Sequence, residues 1–167
     1  MSKREEAITF KGKCIGNIKR KGFLGLIKQE EVAHSLTFWE NKFNGSIPKN
    51  LFTISWNSTK ETRLRALQWK ITMNIYPTNI LLHKMGIKTS SDCTHCKERD
   101  YLEHFFAECA LVRPLWREIE KTINVYLKRR IILSTSHIMI GINESTLTKK
   151  ELQVINHAII IGKMCIS

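Results

Sequence analysis

Four residues within a stretch of seventeen constrain this chain most: Cys93, Cys96, His104 and Cys109, spaced C-x2-C-x7-H-x4-C. Two cysteines separated by two residues can aim both sulfurs at one ion from a tight turn. A histidine and a third cysteine, returning after a short loop, complete the tetrahedral set of three sulfurs and one nitrogen that Zn²⁺ prefers. Such a site needs three thiolates and a neutral imidazole at about 2.0–2.3 Å from the ion. Lys97 and Arg99 lie close enough in sequence to favour the thiolate form. His104 and Cys109 are five residues apart, which on an ideal helix separates them by about 140°. A helix opening at Asp100 must therefore end or distort near 107–110 for both to face one ion, with Phe105 and Phe106 walling the site. His95 is a competing ligand, although its place between the two thiols turns it towards solvent. The plain alternative is three free thiols and an unrelated histidine. A catalytic zinc is the other alternative. Three thiolates quench Lewis acidity, however, and four protein ligands leave no open position, so the spacing favours a structural ion.

The surrounding composition narrows the partner. Lys and Arg number 27 against 15 acids in 167 residues, a formal charge of +12, with a pI near 9.7. A surplus of that size favours a polyanion, with nucleic acid ahead of an anionic membrane. Of five cysteines, three sit in the array, while Cys14 and Cys165 stand alone near the ends. An odd count with metal-type spacing points to a reducing, intracellular setting, nuclear or cytoplasmic, and not to a secreted disulfide framework. Met1-Ser2-Lys3-Arg4-Glu5-Glu6 has no apolar stretch behind it and does not read as a signal peptide. The most apolar run, Ile155 to Ile166, is interrupted by Asn156, His157 and Lys163 and is too short to cross a bilayer of about 30 Å.

Along the chain, residues 1–34 read as a flexible basic leader. Lys11, Lys13, Lys19, Arg20, Lys21 and Lys28 alternate there with Gly12, Gly16, Gly22 and Gly25, and a short helix is expected only near 29–34. Residues 35–167 read as one helical domain, with the knuckle at 90–112. Ser35 to Ser55 is apolar but broken by Gly45 and Pro48, so it should pack as short pieces. Ser58-Thr59-Lys60-Glu61 fits a capping box with Ser58 as N-cap. Leu64, Leu67, Ile71 and Ile75 then form a stripe at helical spacing, widened by Ala66, Trp69 and Met73. Pro77 ends that helix, and Thr78 caps a shorter one that stops at Gly86. Asp100-Tyr101-Leu102-Glu103 looks like a further N-terminal cap. Pro114 suits a first helical position, followed by the apolar face Leu115, Ile119, Ile123, Tyr126 and Leu127. Gly141 closes a mixed segment, and Thr148-Lys149-Lys150-Glu151 is a capping box that opens a last helix. The expected fold is mainly α, a small helical domain around a single CCHC zinc knuckle.

The array and its flanks together resemble the zinc-binding C-terminal segment of LINE-type non-LTR retrotransposon reverse transcriptases. Arg65-Ala66-Leu67-Gln68-Trp69-Lys70 followed by Asn74-Ile75-Tyr76-Pro77-Thr78 is similar to the helix that precedes the family's knuckle. Glu103-His104-Phe105-Phe106, Cys109 and Val112-Arg113-Pro114-Leu115-Trp116 resemble its second half and the helix leaving it. Ile138 to Ile142 and the closing apolar helix fit as well. The likeness covers roughly 35–167 and is specific over 61–142, whereas 1–34 match nothing. It implies Zn²⁺ held by Cys93, Cys96, His104 and Cys109, and a segment that grips template RNA or target DNA during target-primed reverse transcription. The family's polymerase needs clustered metal-binding aspartates. The chain has only Asp92 and Asp100, both beside the knuckle, and no endonuclease pattern. The expectation is a detached, non-catalytic piece of a mobile-element protein.

Three functions follow from these residues. The first is a zinc-stabilised nucleic-acid-binding module of little sequence preference, contacting RNA or DNA phosphates. Its cations would be Lys60, Arg63, Arg65 and Lys70, then Lys84, Lys88, Lys97 and Arg99, then Lys128, Arg129 and Arg130. Trp69, Trp116 and Tyr101 would stack bases if exposed, but helical spacing places both tryptophans in the core. The second is a structural or protein-interaction remnant, whose partner would cover Leu152, Ile155, Ile159, Ile160, Ile161 and Met164 if no other segment does. The third pairs His104 with Glu103, Glu108 or Asp100 as a hydrolytic acid and base, though glutamates on a helix usually serve as solvated or capping residues.

Overall fold

The computed structural model describes residues 9–10, 13–14, 34–45, 47 and 50–167, with the backbone alone at 9–10, 13–14, 50, 52, 54 and 55. Strands β1 (Thr9–Phe10) and β2 (Lys13–Cys14) pair antiparallel. The remainder of the basic leader, including the helix expected near 29–34, lies outside the described residues save for His34. Among the described residues seven helices follow. They are α1 (34–43), α2 (Asn50–Asn57), α3 (Thr62–Thr72), α4 (Asn79–Lys84), α5 (Arg113–Leu127), α6 (Thr135–Ile140) and α7 (Lys149–Ile166). A π-helical turn at His104–Glu108 stands between α4 and α5. The mainly helical fold is as expected.

The pieces expected before residue 55 are α1 and α2, with Asn44 at positive φ as the first break. α1 buries Leu36 and Trp39, and Phe43 stacks on Trp39 with ring centres 5.4 Å apart. The Trp39 indole N–H donates to the Thr72 carbonyl at 2.8 Å, and the Ser35 hydroxyl donates to the same oxygen. Thr72 is the last residue of α3, where a carbonyl has no partner within its own helix. Two side chains of α1 supply one.

The capping box expected at Ser58 does not form. α2 runs to Asn57, so 58–60 are spent on the turn between helices. α3 begins at Thr62 with Glu61 at its N-cap and no side-chain cap. The Thr59 hydroxyl accepts instead from the Glu61 amide at 3.1 Å. α3 buries Leu64, Leu67 and Ile71 as expected, together with Gln68 and Thr72. Ile75 lies beyond the helix end and is exposed, and so is Trp69, which the spacing had placed in the core. The helix stops before Pro77, where Asn74 turns to positive φ.

α7 packs against α2, α3 and α5. The box at Thr148 and Glu151 forms as expected, and Ile155, Ile159 and Ile160 are shut inside. Other parts of this chain therefore cover most of the apolar face that a partner was expected to cover, and Ile161 is left partly open. Gly162 is what lets α7 approach α5. A Cβ there would come within 2.6 Å of Ile119 Cδ1 and 2.9 Å of the Trp116 ring. α5 buries Trp116 and Ile123, but its expected face ends short, since Tyr126 is exposed. α6 packs on α3 and the π turn and buries Ile138, Met139 and Ile140.

Two polar side chains of α7 are paired inside this core, while His157 Nδ1 on the same helix is buried without a hydrogen-bond partner among the described residues. Asn156 accepts from the Ile142 amide at 2.8 Å and donates to its carbonyl at 2.9 Å, fastening the chain after α6 to α7. Lys163, fully buried, donates to Gln68 Oε1 and, at 3.2 Å, to the Met139 carbonyl. Gln68 donates to the same carbonyl at 3.1 Å. Burial disfavours the ammonium form and lowers the Lys163 pKa from its ordinary 10.5 to about 7. Among the described residues, no helix is long and apolar enough to cross a membrane.

Candidate metal centre

The knuckle begins with the helix before it. Thr78 caps α4 by accepting from the Leu81 amide at 3.5 Å, and Gly86, at φ +71, ends the segment. Asp100 was expected to cap its own helix. Its Oδ2 instead accepts from the Asn79 amide at 3.0 Å, so it caps α4 from twenty-one residues away. The Asn79 side chain then donates to the Asp92 carbonyl at 2.8 Å and accepts from Lys88 Nζ at 2.6 Å. These bonds fix the base of a hairpin in which Asp92 and Arg99 bridge antiparallel. At its tip the Cys93 amide donates to the Glu98 carbonyl at 2.7 Å, and the Lys97 amide to the Cys93 carbonyl at 3.1 Å. Lys97 takes φ +65 to close the turn. Cys93 and Cys96 thus leave one tight turn on the same side.

The second half solves the five-residue problem. The Cys109 amide donates to the His104 carbonyl at 2.9 Å, an i to i+5 bond that widens the helix into a π turn. The widened turn returns Cys109 to the side that carries His104. Cys109 itself is extended, at ψ 136, and ends the turn. The distortion expected near 107–110 is therefore present and begins three residues earlier. The indole N–H of Trp116 donates to the Phe106 carbonyl at 2.6 Å. Phe105 lines the space beside Cys93 and Cys109. Phe106, expected as a second wall, is fully buried among Tyr76 and Phe105.

All four donor atoms lie within 4.8 Å of one another. Cys93 Sγ and Cys109 Sγ are 3.9 Å apart, Cys109 Sγ and Cys96 Sγ 4.0 Å, and Cys96 Sγ and His104 Nε2 3.2 Å. Four ligands at zinc–sulfur distance around a tetrahedron have edges of about 3.8 Å. The separations and donor types fit that ion. His95 is exposed and stands outside the group. Cys93, Cys96 and Cys109 are free thiols. Burial opposes the Cys93 thiolate, but the amides of Cys96 and His95, together with the side chains of His104 and Cys96, outweigh it and bring its pKa down to about 6. For Cys109 burial prevails and the pKa is raised. The turn thus favours the thiolate form of Cys93, and a bound cation would deprotonate the others.

The outer contacts follow a metal site's logic. With Nε2 facing the thiols, His104 Nδ1 stands 3.4 Å from Glu98 Oε2. At that distance the contact is electrostatic more than a well-made hydrogen bond, yet it places a carboxylate behind the ligand ring. The acids considered for hydrolysis have other partners. Glu103 is buried and pairs with Lys42 at 3.3 Å, and Glu108 accepts from the Tyr101 hydroxyl at 2.6 Å. That bond is the main reason the Tyr101 pKa rises to about 12.

Of the cations selected from sequence, Lys60, Arg63, Lys70, Lys84, Lys88, Lys97, Arg99, Lys128, Arg129 and Arg130 are exposed, and Arg65 is half-buried. Arg129 is partly engaged, since it pairs with Glu151 and donates to the Thr146 carbonyl, both at 3.2 Å. Lys97 donates to the Thr94 carbonyl at 3.1 Å. Sequence reasoning missed Trp56. It is 41% exposed and packs against Arg65, whose guanidinium carbon lies 5.3 Å from the ring centre. Its neighbours Ser55 and Asn57 gave no periodic signal that would have set it outside the core.

Residues 34–116 match the family model described as zinc-binding in reverse transcriptase. Over that stretch the chain belongs to this family, and the four donors lie inside the matched region. No curated protein and no solved structure matches the chain.

Proposed function

We propose that the chain is a zinc-stabilised module that holds RNA or DNA through phosphate contacts, with little sequence preference and no catalytic centre of its own. Cys93, Cys96, His104 and Cys109 hold the ion. Four protein ligands complete its shell and leave no place for a substrate or an activated water, so its role is to fix the fold. The observation that carries the nucleic-acid reading is the surface around those ligands, where Lys84, Lys88, Lys97 and Arg99 all reach solvent from the knuckle and the helix before it. The non-catalytic reading rests on the acids. The Asp92 carboxylate accepts from the Ser90 and Ser91 hydroxyls, the Asp100 carboxylate caps α4, and Glu103 pairs with Lys42. Three zinc-bound thiolates suit a reducing compartment, nuclear or cytoplasmic.

The test is metal analysis of the pure protein together with binding to a random RNA and a duplex DNA as salt is raised. One equivalent of zinc and a steep linear fall of log K with log salt are expected. Removing one phosphate-binding charge, as in Lys97→Ala or Arg99→Ala, reduces the slope by roughly 1. Binding that is absent, or flat in salt, overturns the nucleic-acid reading. Hydrolysis or copying of nucleic acid that Glu103→Gln abolishes overturns the non-catalytic one.

A further inference from the structure

The chain has four tryptophans, and the structure treats them in two ways. Trp39 and Trp116 are buried, while Trp56 and Trp69 are 41% and 42% exposed. The exposed pair share one place. With Thr62, Arg65 and Ala66 they line an open cleft of about 370 Å³ between the end of α2 and the outer side of α3. At 3.6 residues per turn, positions 62, 65, 66 and 69 fall within about 100° of one another, opposite the buried stripe of α3. Arg65 is held in the cleft from two sides. Its Nε donates to the Thr59 carbonyl at 2.8 Å, and its guanidinium carbon lies 5.3 Å from the centre of the Trp56 ring. Among the described residues, no carboxylate pairs with it. Arg63 and Lys70, both exposed, project from the adjacent flank of α3. From residue 60 to residue 73 the charges are Lys60, Arg63, Arg65 and Lys70 against Glu61 alone.

We propose that this cleft receives an unpaired base of a single-stranded nucleic acid, stacked on Trp69, with Arg65 and its cationic neighbours on the adjoining phosphates. The inference rests on the nucleic-acid reading above and adds to it the strandedness of the ligand. An indole offers every base the same π-face, so the contact needs no particular sequence. A duplex shuts its base faces inside the stack, and only an unpaired strand can present one. The cationic rim suits a polyanion. An apolar protein partner would meet two indoles and Ala66 surrounded by charge that it cannot match. A guanidinium already fixed by Thr59 and Trp56 loses little freedom when it meets a phosphate, which favours binding.

The experiment uses the full zinc-loaded chain, a short oligo(dT) and a blunt duplex of equal length, at matched salt. Affinity and tryptophan emission are both followed. The single strand is expected to bind more tightly than the duplex and to quench the exposed indoles, while Trp39 and Trp116 remain as a constant background. Trp69→Ala should weaken single-strand binding by about 5- to 150-fold, the range for one stacked base. It should change duplex binding less than twofold and leave the salt slope alone, because no charge is removed. Trp69→Phe keeps a stacking face and should retain most of the affinity. If Trp69→Ala binds the single strand as the wild type does, or if Trp69→Phe loses as much as Trp69→Ala, the cleft is wrong and the nucleic-acid reading survives. If the wild type binds neither oligonucleotide, both fall together.

Discussion

Between His83 and Arg99 every side chain is exposed except those of Ser91, Cys93 and Cys96, whereas on α7 Ile155, Asn156, Ile159, Ile160, Gly162 and Lys163 are all shut away. The two regions lie in one small protein and are held by different physics. α7 removes large apolar side chains from water at roughly 25 cal/mol per Å² and keeps the buried side chains of Asn156 and Lys163 bonded. The stretch 83–99, which carries the first half of the knuckle, has almost no apolar surface to bury. Its order comes from backbone bonds across one hairpin, the Asp100 cap on α4, and four donors that converge to within 4.8 Å of one another. A region built that way would draw its folding energy from a bound ion, and the helices beside it would not.

The largest effect is expected from Cys109→Ser, which breaks the comparison at its weak side. Zinc should be lost, and amide protection across 90–112 should fall to the level of an open loop, while the amides of α7 keep theirs. Structural zinc in small fingers contributes on the order of 10 kcal/mol, more than the hairpin can replace. If the variant keeps one equivalent of metal, the ligand set is wrong. If α7 opens with the knuckle, the two regions are one cooperative unit.

The strong side is tested through Lys163. Its pKa falls from 10.5 to about 7 on folding because burial disfavours the charge. Between pH 7 and 10.5 the unfolded chain therefore binds more protons than the folded one, and stability rises with pH across that window. Below pH 7 both states are protonated and the dependence vanishes. Urea midpoints of the zinc-loaded protein from pH 7 to 10 should climb, and in Lys163→Met they should lose that climb. An equal climb in the variant would assign the dependence to other groups.

The smallest effect concerns the carboxylate behind His104. Glu98→Gln should lower zinc affinity by roughly 10-fold, as loss of an outer-shell partner does, and leave the urea midpoint of the zinc-saturated protein unchanged. Competition with a chelator measures the first. An unaltered affinity would make the 3.4 Å approach of Glu98 to His104 incidental.

How much of this was legible in the sequence differs by region. The knuckle's spacing gave the donors and even the need for a break, since five residues on a regular helix cannot return to one face. The form of the break, a π turn with the Trp116 indole satisfying the Phe106 carbonyl, was not legible, because its partner lies ten residues on. Caps divided in the same way. Thr148 and Thr78 act on their own helices and were readable. Ser58 and Asp100 misled, since one was consumed by the end of α2 and the other was drawn to α4. Burial was the least readable. Trp69 and Trp116 sit on similar apolar patterns, yet only Trp116 finds α7 against it.

The amino-acid order alone determined the metal donors, the helical character and the positive charge, because each depends on residues close together in the chain. Only the tertiary structure decided which aromatic rings stay outside, which carboxylates are occupied and where a lysine can be buried. Those outcomes depend on surfaces brought together from distant segments, and local spacing carries no record of what will lie opposite.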